Sequence, residues 1–199
     1  MTVIEIILSA VLGYLCGSIP FGLVLTKAAG LGDIRKLGSG NIGATNVLRT
    51  GNKTVAALTV LFDGLKGTVP VVTMSMLYGT EAAIVAGVAA FLGHIFPVWL
   101  GFKGGKGIAT SIGVLLGLHW ILALAFLAVW IFIAAIFRIS SLAGLTASLL
   151  TPLWAFLLGR GDLVLPALML GIMIWITHRA NIIRLLRGEE PRISFAKQV

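Results

Sequence analysis

Six apolar runs, at roughly 3–26, 54–78, 82–102, 107–137, 139–158 and 162–178, occupy most of this 199-residue chain and decide what it can fold into. About 20 apolar residues suffice to cross the hydrocarbon core of a bilayer as an α-helix. No water is present there to satisfy any irregular backbone. Composition agrees: 58% of the residues are hydrophobic and 11% charged, where a soluble domain carries about 25% charged residues. The sequence predicts an all-α integral membrane protein, one domain over residues 1–199, with no linker or internal repeat to divide it.

Charge supplies the topology. Fifteen Lys and Arg against seven Asp and Glu give a net charge of +8. The basic residues lie in short connectors between apolar runs, so membrane orientation accounts for them and nucleic-acid binding is not expected. Lys27, Arg35, Lys36, Arg49 and Lys53 mark the connector 27–53 as cytoplasmic, and Arg179, Arg184, Arg187, Arg192 and Lys197 mark the tail. Both can face the cytoplasm only if the long run 107–137 folds as a hairpin, breaking near Gly117-Leu118-His119. The expectation is therefore seven transmembrane helices, two of them short, with the N-terminus outside and the C-terminus cytoplasmic. Thirteen of the fifteen basic residues then face the cytoplasm, leaving Lys66 in a span and Arg160 outside. The N-terminal run begins with Glu5 rather than a basic region and outlasts a signal sequence, so it reads as a retained helix. The single Cys16 supports neither a disulfide nor a zinc site.

Three polar segments interrupt the apolar pattern, all on the predicted cytoplasmic side. "GSGNIGATNVLR", Gly38 to Arg49, satisfies G-x-G-x-x-G but lacks the preceding strand of a dinucleotide fold. It reads as a loop of backbone donors, hydroxyls and amides suited to an anion. "GHIFPVWLGFKGGKGIATS", Gly93 to Ser111, resembles a phosphate loop but has Leu100 for a glycine and Gly107 for the Mg²⁺-binding hydroxyl. Its glycines, Lys103 and Lys106, and the helix start that follows still suit phosphate. In "HRANIIRLLRGEEPR", His178, Asn181 and Arg184 recur every three residues and share one side of a helix end. Asp63 and Lys66 are spaced to share one helix face within a span, as a structural ion pair or as a cavity lining, and His94 with Pro97 is placed to brace the lysine loop.

Together these segments resemble the three signature motifs of the PlsY family, bacterial acyl-phosphate:glycerol-3-phosphate acyltransferases, over nearly the whole chain. The resemblance implies a single transmembrane acyltransferase domain in the bacterial inner membrane, multi-pass, with its active site on the cytoplasmic face. It implies transfer of a fatty acyl group from acyl phosphate to the 1-hydroxyl of glycerol 3-phosphate. The products are lysophosphatidic acid and phosphate, in the first committed step of bacterial phospholipid synthesis. Carried onto this sequence, the motif residues are Ser39, Asn41, Thr45, Asn46 and Arg49, then His94, Lys103, Gly104, Gly105 and Lys106, then His178, Asn181 and Glu190.

The residues bear on the chemistry. An acyl phosphate has a good leaving group, so positioning and charge stabilisation matter more than a strong acid. Lys106, Arg49 and the amides of Gly104 and Gly105 are assigned to phosphate, with Asn41, Thr45, Asn46, Lys103 and Glu190 as further binding residues. Ser39 and Asn181 are assigned to positioning the acyl phosphate and its oxyanion, without an acyl-enzyme. The base is either His178 or a substrate phosphate, with the phosphate favoured because no carboxylate orienter for His178 is visible. Seven scattered carboxylates give no metal cluster, and neither metal nor cofactor is expected. The sequence does not define an oligomer. The rival reading is a transporter or channel for phosphate or a phosphorylated metabolite. It is disfavoured because the polar motifs gather on one face and show no repeat.

Overall fold

The computed structural model describes residues 1–193. Lys197, counted above among the tail's basic residues, lies outside the described residues. Those residues form ten α-helices: α1 Val3–Gly17, α2 Phe21–Ala28, α3 Ala44–Val47, α4 Lys53–Tyr78, α5 Thr80–Ile95, α6 Ile108–Leu118, α7 Trp120–Phe137, α8 Ser140–Leu157, α9 Gly161–Thr177 and α10 Arg179–Leu186. Three short 3-10 turns join them, and no strand occurs among the described residues.

Local chemistry explains the boundaries. Thr2 and Glu5 form a reciprocal capping box at the start of α1. The Asn52 side chain accepts the Val55 N–H (3.0 Å) at the start of α4. Gly79, at φ +84°, ends α4 and turns the chain into α5. The first apolar run is not one helix as its hydropathy suggested. It breaks between α1 and α2 at Ser18-Ile19-Pro20, because Pro20 has no N–H to continue the ladder.

Five apolar helical stretches are long enough to cross a bilayer: 3–28 taken across its break, 53–78, 80–100, 120–137 and 140–157. α9 and α10, bent by 65° at His178, make a sixth if counted as one. α6 is shorter, at 11 residues. It meets α7 at His119, where the hairpin break was expected.

Apolar side chains face the same environment inside and outside a membrane bundle, so close backbone approach does much of the packing. Gly13 and Gly17 of α1 lie directly on the backbone of Ala86 and Ala90 of α5, where any Cβ would strike a carbonyl. The same device joins α4 to α6, with Gly113 against Gly64 and Gly67 against Thr110. Thr68 adds an interhelical hydrogen bond to the Gly113 carbonyl (2.8 Å). α7, α8 and α9 complete the bundle, α8 packing on both neighbours. Ile131, Phe132 and Ile136 of α7 point outward, as lipid contact requires. One end of the bundle gathers few charges, including the N-terminal amine beside Glu81 (3.5 Å). The three polar segments gather at the other end.

Candidate functional site

A cavity of about 380 Å³ opens at that end and takes its walls from all three segments. The first is fixed by Asn46, which is 2% exposed. Its two amide hydrogens are shared among the carbonyls of Ile34 (2.7 Å), Leu37 (3.1 Å) and Asn41 (2.9 Å). Asn41 in turn accepts the Gly43 N–H (2.8 Å). Asn41 and Asn46 thus hold the loop in shape, while Ser39 and Thr45 present exposed hydroxyls to the cavity. Gly38, at φ +49°, lies directly against the Arg49 guanidinium, leaving no room for a Cβ. Arg49 makes only a long contact to Asn46 (3.5 Å) and has no carboxylate partner among the described residues.

The second segment differs from the expectation. The Gly104 and Gly105 amides are bonded within the fold: they donate to the carbonyls of Ile95 and His94, both at 3.1 Å. The glycines serve close packing on the end of α5, Gly104 against Pro97, Gly105 against the His94 ring and Gly107 (φ +89°) against Phe91. Lys103 is exposed and stands off the cavity wall. Lys106 alone of the two lysines reaches the cavity, donating to Asn181 Oδ1 at 2.6 Å. Burial pushes its amine down to about 8, with Arg184 and Arg49 adding repulsion and Glu190 opposing it.

The third segment supplies its partners. Asn181 Nδ2 donates to Glu190 Oε1 (2.5 Å), which also accepts from Ser141 (2.7 Å), and Arg184 holds Oε2 (2.7 Å). Lys106 can only donate and an ionised Glu190 can only accept, so the orientation of the Asn181 amide follows from chemistry. Burial works against ionising Glu190, yet the hydrogen bonds from Ser141, Asn181 and Arg184 outweigh it and hold the carboxyl below its usual range. His178 Nδ1 lies 2.8 Å from the Ile174 carbonyl. A carbonyl can only accept, so Nδ1 carries the proton and Nε2 keeps the lone pair. The orienter that the sequence lacked is a backbone carbonyl.

Sequence reasoning assigned the site no role for Ser141, which lies in the first turn of α8 inside an apolar run and carries no local signal. Asp63, read as one half of an ion pair or as a cavity lining, and His94, read as a motif residue that braces the loop, both reach the cavity wall. Asp63 pairs with Lys66 at 2.6 Å, as their spacing suggested. The apolar part of the lining comes from Val60, Ile108, Ile112, Leu127 and Trp130.

The family model described as glycerol-3-phosphate acyltransferase matches residues 7–188. A glycerol-3-phosphate acyltransferase of Sinorhizobium fredii is 60% identical over 181 residues, 91% of this chain and 89% of its own. That of Mesorhizobium japonicum is 57% identical over 188 residues, 94% of this chain and 96% of its own. The crystal structure of PlsY (YgiH), an integral membrane glycerol 3-phosphate acyltransferase in its glycerol 3-phosphate form, superposes with a TM-score of 0.90 at 39% identity, covering 95% of this chain and 96% of its own. Its lysophosphatidic acid form gives 0.87 at 37% identity, covering 96% of each chain.

Proposed function

Since the chain belongs to the PlsY family of integral membrane glycerol-3-phosphate acyltransferases, we propose that it takes its acyl group from an acyl phosphate and delivers it to the 1-hydroxyl of glycerol 3-phosphate. Lysophosphatidic acid and inorganic phosphate leave. The supporting observation is the meeting of three polar segments around one cavity that is cationic at one end and apolar along a wall. Arg49 and Lys106 suit a phosphate, and the Val60–Trp130 wall suits an acyl chain. Seven crossings with α6 and α7 as the hairpin, the N-terminus outside and the cavity on the cytoplasmic side of the inner membrane accord with the distribution of basic residues.

The mechanism is direct. The glycerol oxygen attacks the acyl carbonyl, the bond from that carbon to the phosphate oxygen breaks, and the hydroxyl proton passes to a phosphate oxygen. Arg49 and Lys106 hold phosphate charge, and Ser39 and the second Asn181 amide hydrogen steady the acyl phosphate and its oxyanion. Thr45 contributes a further hydroxyl. His178 Nε2 accepts from the attacking hydroxyl and aims it. A proton retained on His178 would add a cation beside Lys106, Arg49 and Arg184, so a phosphate oxygen is the better final acceptor. Purified protein given labelled glycerol 3-phosphate and palmitoyl phosphate without divalent cation yields labelled lysophosphatidic acid. Product from palmitoyl-coenzyme A but none from palmitoyl phosphate would overturn the choice of donor.

A further inference from the structure

The usefulness of Lys106 depends on where one short loop sits, and that loop is cast against the last turn of α5. The amides of Gly104 and Gly105 hang from the carbonyls of Ile95 and His94, both at 3.1 Å. Two backbone bonds fix the loop's distance from the helix end, and Thr177 Oγ1 donates to the Lys106 carbonyl (3.2 Å). The His94 ring blocks movement of Gly105 toward it. Its Nε2 edge lies so close to Gly105 that a Cβ there would overlap it. The ring itself cannot retreat, since His94 is 4% exposed. Behind it, Nδ1 stands 3.9 Å from Asp63 Oδ1. That oxygen is 2.6 Å from Lys66 Nζ, and Lys66 donates to the Ile19 carbonyl (2.8 Å) at the break between α1 and α2. Asp63 Oδ1 and His94 Nδ1 are sealed from solvent, and His94 Nδ1 makes no hydrogen bond. The ring is therefore wedged between an ion pair fixed on α4 and the glycine that precedes Lys106.

We propose that His94 is a positioning residue for Lys106: its ring, backed by the Asp63–Lys66 pair, sets the place of Gly105 and so aims the neighbouring amine at the cavity. This rests on Lys106 being the phosphate ligand of the reaction above. A shift of about 1 Å in a group that holds substrate can cost on the order of 100-fold in rate. The loop glycines and the buried histidine thus form one device. Gly105 is glycine because His94 occupies the space that a side chain would take.

The test is a compensation cycle with His94→Ala, Gly105→Ala and the double variant, reading KM for glycerol 3-phosphate, kcat and the alkaline limb of kcat/KM. Each single variant raises KM about tenfold with a smaller change in kcat. The double variant regains most of the Gly105→Ala loss, because the methyl enters the space the ring has left. In wild-type enzyme the alkaline limb falls near pH 8, set by Lys106 among Arg49, Arg184, His178 and Glu190. In His94→Ala the limb moves upward as the amine escapes burial. A merely structural role would lower yield and melting temperature without moving that limb. Losses that multiply in the double variant overturn the proposal. If Gly105→Ala fails to fold, His94→Ala decides alone: unchanged KM and an unchanged limb overturn it. Lys106→Ala run alongside separates the two layers. Normal saturation by glycerol 3-phosphate in that variant overturns the role of Lys106 itself. Lost saturation there with a normal His94→Ala overturns only the positioning role.

Discussion

Replacing Lys106 by Met should raise stability while removing activity. The amine is held at about 8, against an ordinary value of 10.5. That lowering corresponds to about 3 kcal/mol of preference for the neutral form. Below about pH 8 the amine is charged in both the folded and unfolded chain, and burying that charge costs the folded state about this amount. Between about 8 and 10.5 only the unfolded chain keeps the proton, so wild-type stability rises with pH across that window. Met removes the buried charge but leaves Asn181 Oδ1 without its donor, a loss of about 1 kcal/mol. The net gain at pH 7 is about 2 kcal/mol. Activity moves the other way: losing one side of a charged contact to substrate typically costs about 2–5 kcal/mol, or about 30-fold to about 5,000-fold in kcat/KM. Thermal unfolding in detergent at pH 7 and pH 10, with steady-state kinetics at pH 7, checks both signs. A variant less stable than its parent at pH 7, or one whose advantage persists undiminished at pH 10, refutes the reasoning.

Two further outcomes follow from single contacts. His178→Ala should lower kcat by about 10–100-fold, and His178→Asn should recover part of it by offering an oxygen to the glycerol hydroxyl; a loss beyond about 10⁴-fold that Asn does not relieve would make His178 the base instead. Gly17→Val drives a side chain into the Ala90 backbone at the α1–α5 seam, and overpacking there should cost about 1–3 kcal/mol. Its melting temperature should fall while turnover per folded molecule stays near normal, and an unchanged melting temperature would dispose of the seam as a packing constraint.

Hydropathy revealed the helices because a bilayer admits few alternatives, and the helix break at His119 was expected from charge parity on either side of a run too long for one crossing. The interruption at Pro20 was masked, since the residues around the break are as apolar as those in the helices. The site was legible where a residue type implied its own use: an arginine after a glycine loop, a lysine at a helix start, a histidine and asparagine three residues apart. It was not legible where use depends on a partner distant in sequence. Ser141 is one hydroxyl in an apolar run until Glu190, 49 residues on, meets it. The Ile174 carbonyl that fixes His178 is backbone and leaves no mark in any side chain. The glycines around Lys106 show the difference most clearly. "KGGKG" suggests free amides wrapped around an anion, because glycine permits that approach. In the folded chain the Gly104 and Gly105 amides are already bonded to α5, and the permission is used on the inner side, where His94, Pro97 and Phe91 press against the loop. A glycine shows that something comes close; only the fold shows from which side.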